Sequence, residues 1–280
     1  MFWTHTKSSR KFIDLIYNAT TKWANWDPSE SYQAGDFGDI DKETGRFQKQ
    51  GNIYVDNRTS HIAIQYPKEQ GPPVDTYIAS SERVHGLGLN AGAHADVVPA
   101  ANISFQGKWK FNARRGALLA MYKPYMTKLP DLLLLDRRLS SMECLKDQKL
   151  ITHVYSCRAY ALYLSNHRGD SLNLVLRATA PVGPGVPAGP DAGLEWVSQD
   201  ISVIYHHGSS ETPVFHPLFV IKDTKKRGTR RGIPEDPNAS PWEDIDSPWD
   251  LDDDGEFAKA LQFPKDDEDS WVPKVGHTRG

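Results

Sequence analysis

The sequence predicts an α+β protein built on a twisted, mainly antiparallel sheet with long hairpins, flanked by helices and followed by a mostly irregular tail. Its 21 glycines and 19 prolines indicate many turns, which favours a β-rich fold over a helical bundle. Two long stretches alternate apolar and polar residues, as two-faced strands do. From residue 232 onward, acidic residues, prolines and isolated aromatic residues replace this pattern.

Charge divides the chain into two parts. Residues 232–280 contain 14 acidic and 4 basic residues, a net charge of −10, whereas residues 1–231 contain 22 and 29, a net charge of +7. We therefore predict a body at 1–221, a basic hinge at 222–231 and an acidic tail at 232–280. Such asymmetry is typical of a self-covering tail, an acidic partner or a membrane surface. A disordered solubilising tail is the simplest alternative.

At the N-terminus, residues 5–24 predict an amphipathic helix, because apolar residues repeat at helical spacing from Phe12 to Trp23. Lys7, Arg10 and Lys11 place positive charge in its first turns, where it opposes the helix dipole. An acidic lipid headgroup would compensate that charge. A surface helix that caps the core explains the same pattern.

Short strands and turns are predicted next. Thr44-Gly45 has the chemistry of a hairpin turn, and strands are predicted at 53–55 and 61–66, before a Pro- and Gly-rich loop at 67–73. A leucine stripe predicts a packing helix at 131–145.

Two regions, 76–112 and 149–178, predict extended hairpins. Residues 102–111 have one aromatic face and one cationic face, and in the second region 149–164 is one arm and 171–177 the other. Arms of this length are unusual in a soluble hairpin and sufficient to cross a bilayer. The apolar faces consist of Ile103, Phe105, Trp109, Phe111, Leu172, Leu174 and Leu176.

The remainder of the body contains a Pro/Gly linker at 181–193, a strand between Trp196 and Tyr205, and a closing segment at 212–221. The acidic tail contains more large apolar residues than disordered segments usually do, so we expect it to dock on a surface. Those residues are Trp242, Trp249, Phe257, Leu261 and Trp271.

Enzyme chemistry finds little support in the sequence. His94 with Asp96, and His206 with His207, are local candidates for metal binding without a second ligand pair, and no GxSxG elbow is present. We expect no cofactor, no metal and no enzymatic activity. Nucleic acid is not an expected partner, since the acidic tail would compete for a basic body. Two cysteines without a CxxC pattern, and no apolar signal core, predict a reducing compartment.

Taken together, the order of these features resembles a gasdermin pore-forming domain of the short fungal type over residues 1–221. The chain starts with Met1-Phe2 before a basic helix, and a segment at 212–221 that contains Pro-Leu-Phe ends the body. Between them lie the two hairpin regions and three short motifs, Ser31-Tyr32-Gln33, Gly35-Asp36-Phe37-Gly38 and Gly51-Asn52-Ile53-Tyr54.

The resemblance implies a pore former involved in regulated cell death, including fungal heterokaryon incompatibility. Such a protein rests in the cytoplasm under restraint by its C-terminal part. After proteolysis it binds acidic lipids at the plasma membrane, forms a homo-oligomer and inserts hairpins as a β-barrel. Some fungal members are triggered by a partner allele instead of by cleavage. A soluble β-rich binding module with an acidic protein-interaction tail is the alternative.

Carried onto this sequence, the resemblance implies four sets of residues. Candidate lipid contacts are Lys7, Arg10, Lys11, Lys108, Lys110, Arg114 and Arg115. The apolar hairpin residues named above are candidates for membrane insertion, which requires Arg158 and Arg177 to face the lumen because charge on the lipid face costs roughly 2–4 kcal/mol. The candidate cleavage region holds Lys225, Lys226, Arg227, Arg230 and Arg231, and the aromatic and leucine residues of the tail are its candidate inhibitory contacts.

Overall fold

The computed structural model describes residues 3–90, 103–113, 115–131, 133–165, 167–179, 193–198, 204–224 and 240–245. Within these ranges the fold is mostly antiparallel sheet with few helices, which confirms the β-rich α+β prediction. The helices are α1 (Trp3–Thr20), α2 (Ser60–Ala63) and α3 (Leu133–Ser140). The strands are β1 (Trp23–Ala24), β2 (Asp36–Ile40), β3 (Phe47–Asn52), β4 (Glu69–Gln70), β5 (Thr76–Ser80), β6 (Val84–Asn90), β7 (Ile103–Phe111), β8 (Ala117–Tyr122), β9 (Tyr125–Lys128), β10 (Lys149–Cys157), β11 (Ala159–Leu164), β12 (Ser171–Thr179), β13 (Gly193–Ser198), β14 (Ile204–Ser209), β15 (Phe215–Thr224) and β16 (Trp242–Asp244).

These strands form three sheets. Sheet 1 has eight strands in the order β1-β15-β10-β2-β3, with β16 on β15, β9 on β10 and β4 on β9. Sheet 2 has the order β14-β11-β8-β5, and sheet 3 has the order β13-β12-β7-β6.

Sheets 2 and 3 are two halves of one four-stranded ribbon. Each strand of sheet 2 is joined to a strand of sheet 3 by a short connection: β5 to β6, β8 to β7, β11 to β12 and β14 to β13. The strand order is the same in both sheets, so each strand of sheet 2 and its continuation in sheet 3 lie beside corresponding neighbours. We call the connections at 81–83, 112–116 and 165–170 the crease. The fourth, 199–203, lies outside the described residues.

Helix boundaries differ from the prediction for local reasons. Helix α1 ends at Thr20, four residues early, because Thr21 adopts a positive φ of 57° and Trp23 pairs with Phe219 of β15. The helix predicted at 131–145 is shorter: α3 is followed by a separate 3-10 turn at Glu143–Leu145.

Two predicted strands are wrong. Residues 53–55 form a turn, in which the Asn52 side chain accepts a hydrogen bond from the backbone N–H of Tyr54. The stretch 61–66 begins inside α2 and continues as turns. In both places a local hydrogen-bonded turn replaces the sheet pairing that apolar composition alone suggested.

The predicted hairpin at 149–178 is also wrong, although its strands exist. Its first arm is two strands, since β10 belongs to sheet 1 and β11 to sheet 2. The second arm, β12, pairs with β7 on one side and β13 on the other. Sheet 3 therefore consists of two adjacent hairpins, β6–β7 and β12–β13.

The body extends beyond residue 221. Strand β15 continues to Thr224, and β16 pairs with its last three residues, so that one compact unit runs from Met1 to Ile245. The Pro/Gly linker at 181–193 lies almost wholly outside the described residues, and so do the basic cluster at 225–231 and the chain from 246 onward.

Candidate functional site

The apolar faces of sheets 2 and 3 pack against each other. Sheet 3 contributes aromatic residues and leucines that are at most 7% exposed, and sheet 2 contributes smaller residues and one tyrosine. Ring contacts connect the two sheets: the centroids of Phe111 and Tyr163 are 4.8 Å apart. We call this surface the ribbon interface; it is formed by Val84, Phe105, Trp109, Phe111, Leu172, Leu174, Leu176 and Trp196 of sheet 3 and by Leu118, Ala120, Ala159, Ala161 and Tyr163 of sheet 2.

Gly107 explains how the largest side chain of the interface fits. A Cβ atom at this position would lie 2.1 Å from the Trp109 ring, so the absence of a side chain leaves the space that the indole fills. The indole in turn stacks near Phe105, with ring centroids 6.1 Å apart. The interruption of the apolar alternation at residue 107 is therefore part of the packing.

Polar contacts also connect the sheets at one edge. The Trp196 indole N–H of β13 donates to the Gly208 carbonyl of β14 at 3.3 Å, and the Ser209 hydroxyl donates to the Leu194 carbonyl. At the crease, Ser81 is bonded to Ala117 twice, through its backbone N–H and through its Oγ, which accepts from the Ala117 N–H at 3.0 Å. These bonds satisfy backbone groups where the ladder is interrupted.

The second face of sheet 3 is polar. Lys108 and Lys110 are exposed there, and Arg177 forms an ion pair with Glu195 across β12 and β13 at 2.7 Å. The alternation predicted for 102–111 is thus present from Ser104 to Phe111, with its aromatic side inside and its cationic side outside, while residue 102 lies outside the described residues.

In sheet 2, by contrast, the second face is apolar like the first. Leu119, Met121 and Leu162 are buried, and α1 lies against β5 and β8. Sheet 2 is therefore packed between the ribbon interface and the rest of the body. Of sheets 2 and 3, as far as the structure describes them, sheet 3 is the one that combines a buried apolar face with an exposed charged face.

The predicted lipid-contacting cations fall into different environments. Lys108 and Lys110 are exposed, Arg115 is half-buried and Lys7 lies in α1. Lys11 is only 6% exposed and Arg10 is half-buried, so α1 presents neither as a free surface cation in this conformation. Arg114 lies outside the described residues.

The structure gathers the predicted membrane-inserting residues on one sheet. Six of them line the ribbon interface, and Ile103 starts β7 opposite Arg177 of β12. Arg177 lies on the polar side, whereas Arg158 lies at the bend between β10 and β11, outside sheet 3. Trp196 completes the interface. The sequence placed it in a strand running on to Tyr205, but β13 ends at Ser198 and β14 starts at Ile204.

A second constellation surrounds Trp242 of β16. Its indole is 4% exposed and donates from Nε1 to the Asp136 carbonyl of α3 at 3.2 Å, while the Ser240 hydroxyl donates to Asp136 Oδ2 at 2.9 Å. Burial raises the pKa of the Asp136 carboxyl, and the hydrogen bond from Ser240 opposes that shift. The Tyr17 hydroxyl of α1 donates to the Ile245 carbonyl. Of the predicted tail contacts, Trp242 alone falls within the described ranges.

The candidate metal-binding histidines have aromatic neighbours. The His206 ring lies 4.7 Å from the Trp26 ring, and His207 stacks on Tyr205 at 4.8 Å. His94 and Asp96 lie outside the described residues, and within those residues no three His, Cys, Asp or Glu side chains are grouped for metal binding. None of the described helices is both long enough and apolar enough to span a bilayer.

A scan against protein-family models finds no match, and a search of curated proteins finds no significantly similar sequence.

Proposed function

We propose that this chain is a gasdermin-like pore-forming protein whose sheet 3 is the part that enters the membrane. The proposal is carried by one observation: a four-stranded ribbon is folded on itself at a crease, with the apolar face of one half buried against the other. In such a ribbon, a surface that is apolar enough to face lipid is buried inside a soluble fold. Opening at the crease would expose that surface without changing any strand neighbour.

The dimensions and faces of sheet 3 suit a membrane barrel. Strands β7 and β12 each have nine residues, and a tilted transmembrane strand needs about 9–11. Phe105, Trp109 and Leu174 would face lipid, while Lys108 and Arg177 would face the lumen, the only side on which charge is inexpensive.

Strand directions allow several copies to close a barrel. Sheet 3 is antiparallel throughout, and its edge strands β6 and β13 run in opposite directions. The β13 of one copy would therefore continue the antiparallel pattern beside the β6 of the next. In a homo-oligomeric ring, the backbone N–H and C=O groups of both edge strands would be hydrogen-bonded, as the hydrocarbon region of a bilayer requires.

Sheet 2 would stay with the body. Both of its faces are apolar and covered, so removing it from α1 would expose Leu119 and Leu162 for no gain. The exposed Lys108 and Lys110 would make the first contact with acidic lipid headgroups, each contributing about 1 kcal/mol.

In this proposal the chain after the basic hinge restrains the body. Proteolysis among Lys225–Arg231 would release the restraint and convert a cytoplasmic protein into one bound to the plasma membrane, leading to cell death. Activation by a partner allele without cleavage is the other route that the resemblance implies.

The proposal is tested with the full chain carrying a sequence-specific protease site in place of residues 225–231. Phosphatidylcholine vesicles with and without phosphatidylserine are loaded with dye, and release is followed before and after protease addition. We expect release only after cleavage and only from the acidic vesicles, with the body recovered on vesicles without the 232–280 fragment. A cleaved, folded protein that binds and permeabilises neither kind of vesicle would contradict the proposal.

A second candidate function, a β-rich binding module, is favoured by the pairing of β16 on the edge of β15. If this function is correct, the cleaved protein should not bind vesicles and should bind a peptide or protein at that edge.

A further inference from the structure

We propose that the edge of β15 and the adjoining surface of α3 form a peptide-recognition slot for an extended segment containing Ser-Pro-Trp. Residues 240–245 of the chain occupy this slot, and the same motif supplied in trans can replace them. The inference concerns sheet 1 and α3 rather than the ribbon interface, and its occupant, residues 240–245, belongs to the segment after the basic hinge.

Backbone pairing holds the occupant in one register. Trp242, Glu243 and Asp244 pair antiparallel with Thr224, Asp223 and Lys222. This is strand addition to an exposed sheet edge, a mode in which main-chain bonds give affinity and side-chain pockets give specificity.

The tryptophan is the specific anchor. Its ring packs in a cluster with Leu135 and Leu139 of α3 and is almost completely buried, while Nε1 donates to the Asp136 carbonyl at 3.2 Å. A buried aromatic ring with a satisfied polar atom is the typical hot spot of a peptide interface. Phenylalanine in its place would leave the Asp136 carbonyl without that donor.

The two residues before the tryptophan also fit the slot. The Ser240 hydroxyl donates to Asp136 Oδ2 at 2.9 Å and accepts from the Trp242 N–H at 3.2 Å, so one hydroxyl links the helix to the strand. Pro241 has no N–H, and the pairing begins only at Trp242, so no ladder bond is lost.

The sequence contains this motif twice. Ser240-Pro-Trp-Glu is repeated seven positions later as Ser247-Pro-Trp-Asp. The second copy repeats the serine and the tryptophan that contact α3 in the first, with the proline between them and an acidic residue after them. The chain therefore encodes two ligands of the same chemistry for one observed site.

The occupant is suited to exchange. Strand β16 has only three residues, and the intervening residues 225–239 give it a covalent connection long enough to leave and return. Short edge pairings open at a small fraction of the global unfolding free energy. A peptide with the same motif competes with an intramolecular ligand, so binding in trans becomes visible when the chain's own tryptophans are removed.

The test measures fluorescence anisotropy of a labelled peptide with the sequence of residues 239–246. It is titrated with the full chain, with Trp242→Ala, and with the double variant Trp242→Ala/Trp249→Ala. We expect the tightest binding to the double variant and the weakest to the unmodified chain. A peptide with alanine in place of tryptophan should bind the double variant about 30-fold more weakly.

Circular dichroism establishes that the double variant is folded. If it is not, Ser240→Ala replaces it, because that change keeps the indole in the chain while removing the anchoring hydroxyl, and the peptide should then bind Ser240→Ala more tightly than the unmodified chain. Equal, tryptophan-independent binding to all folded variants, or no binding to any of them, would overturn the proposal.

Discussion

Sheets 2 and 3 have the same strand order, and each strand of one continues along the chain into a strand of the other. Their second faces nevertheless differ. The second face of sheet 2 contains buried residues such as Leu119 and Leu162, whereas that of sheet 3 presents Lys108 and Lys110 to solvent. A sheet covered on both sides is held in place by the body. A sheet covered on one side can leave it, provided that another apolar medium receives the uncovered face.

Water is not such a medium. Each fully buried leucine or aromatic side chain of the ribbon interface costs roughly 1.5–3 kcal/mol when it is exposed to water, so the closed ribbon is stable in solution. A bilayer removes that cost. In the proposed function, sheet 2 therefore anchors the ribbon to the body and sheet 3 enters the membrane.

The largest expected effect is a difference in stability between the two second faces. Leu162→Ala should lower the free energy of unfolding by about 2–5 kcal/mol, because Leu162 is completely buried. Lys108→Ala, on the exposed face of sheet 3, should change it by no more than about 0.5 kcal/mol. Urea unfolding measures both, and similar losses would show that the faces are not different.

The next effect concerns membrane binding. Lys108→Gln/Lys110→Gln should weaken binding of the cleaved protein to phosphatidylserine vesicles by about 2 kcal/mol, since each lysine contributes about 1 kcal/mol. Vesicle co-sedimentation measures it. Lys146→Gln, an equally conservative change at an exposed position after α3, serves as the control and should have no effect. A loss per removed charge that is as large for Lys146→Gln as for the double variant would mean that net charge matters and sheet 3 does not.

A smaller effect is expected at the glycines of the ribbon. Gly107→Ala should destabilise the fold by about 1–3 kcal/mol, because the new methyl group would collide with the Trp109 ring. Gly86→Ala is the matched control, since a Cβ there lies at an ordinary 3.8 Å from the same ring. Thermal unfolding of the two variants should separate them; equal melting temperatures would argue against a tightly packed interface.

The smallest effect is expected for the ion pair on the exposed face. A double-mutant cycle with Arg177→Ala and Glu195→Ala should give a coupling of about 0–1 kcal/mol, because both side chains are roughly half exposed. The coupling should also decrease with salt. A coupling of several kcal/mol would mean that this face is desolvated and resembles sheet 2 after all.

The sequence predicted the faces of strands better than their partners. Alternation alone identified β7 and β12 and placed Phe105 and Leu174 on apolar faces, because the period of two is a local property. Pairing depends on the whole chain. Residues 149–178 were therefore predicted as one hairpin, although β12 pairs with β7 and β13.

Long-range packing also determined the site. The burial of Lys11 and the anchoring of Trp242 beside Asp136 depend on elements far apart in the chain, which no local pattern encodes. The folding of the ribbon at the crease could not be predicted from the sequence either, since no local pattern shows that sheet 2 packs on sheet 3. The turns at 53–55 and 61–66 were missed because Asn52 and its neighbours satisfy their backbone locally.

The central claim, that sheet 3 separates from sheet 2, is tested most directly with a reversible lock. Ser209 of β14 donates to the Leu194 carbonyl of β13, so cysteines are introduced at these two positions, which are in contact across the sheets. If the ribbon straightened, residues 194 and 209 would move apart by about 3.3 Å for each strand residue that lies between them along the ribbon. Cys144→Ser removes the less buried native thiol, while burial raises the pKa of the Cys157 thiol and keeps it unreactive.

The measurement is dye release from phosphatidylserine vesicles by cleaved Leu194→Cys/Ser209→Cys protein, oxidised and then reduced, with each single-cysteine variant as a control. We expect no release while the disulfide is closed, release after reduction, and release by both single variants throughout. Equal release by the oxidised and reduced double variant would contradict the central claim.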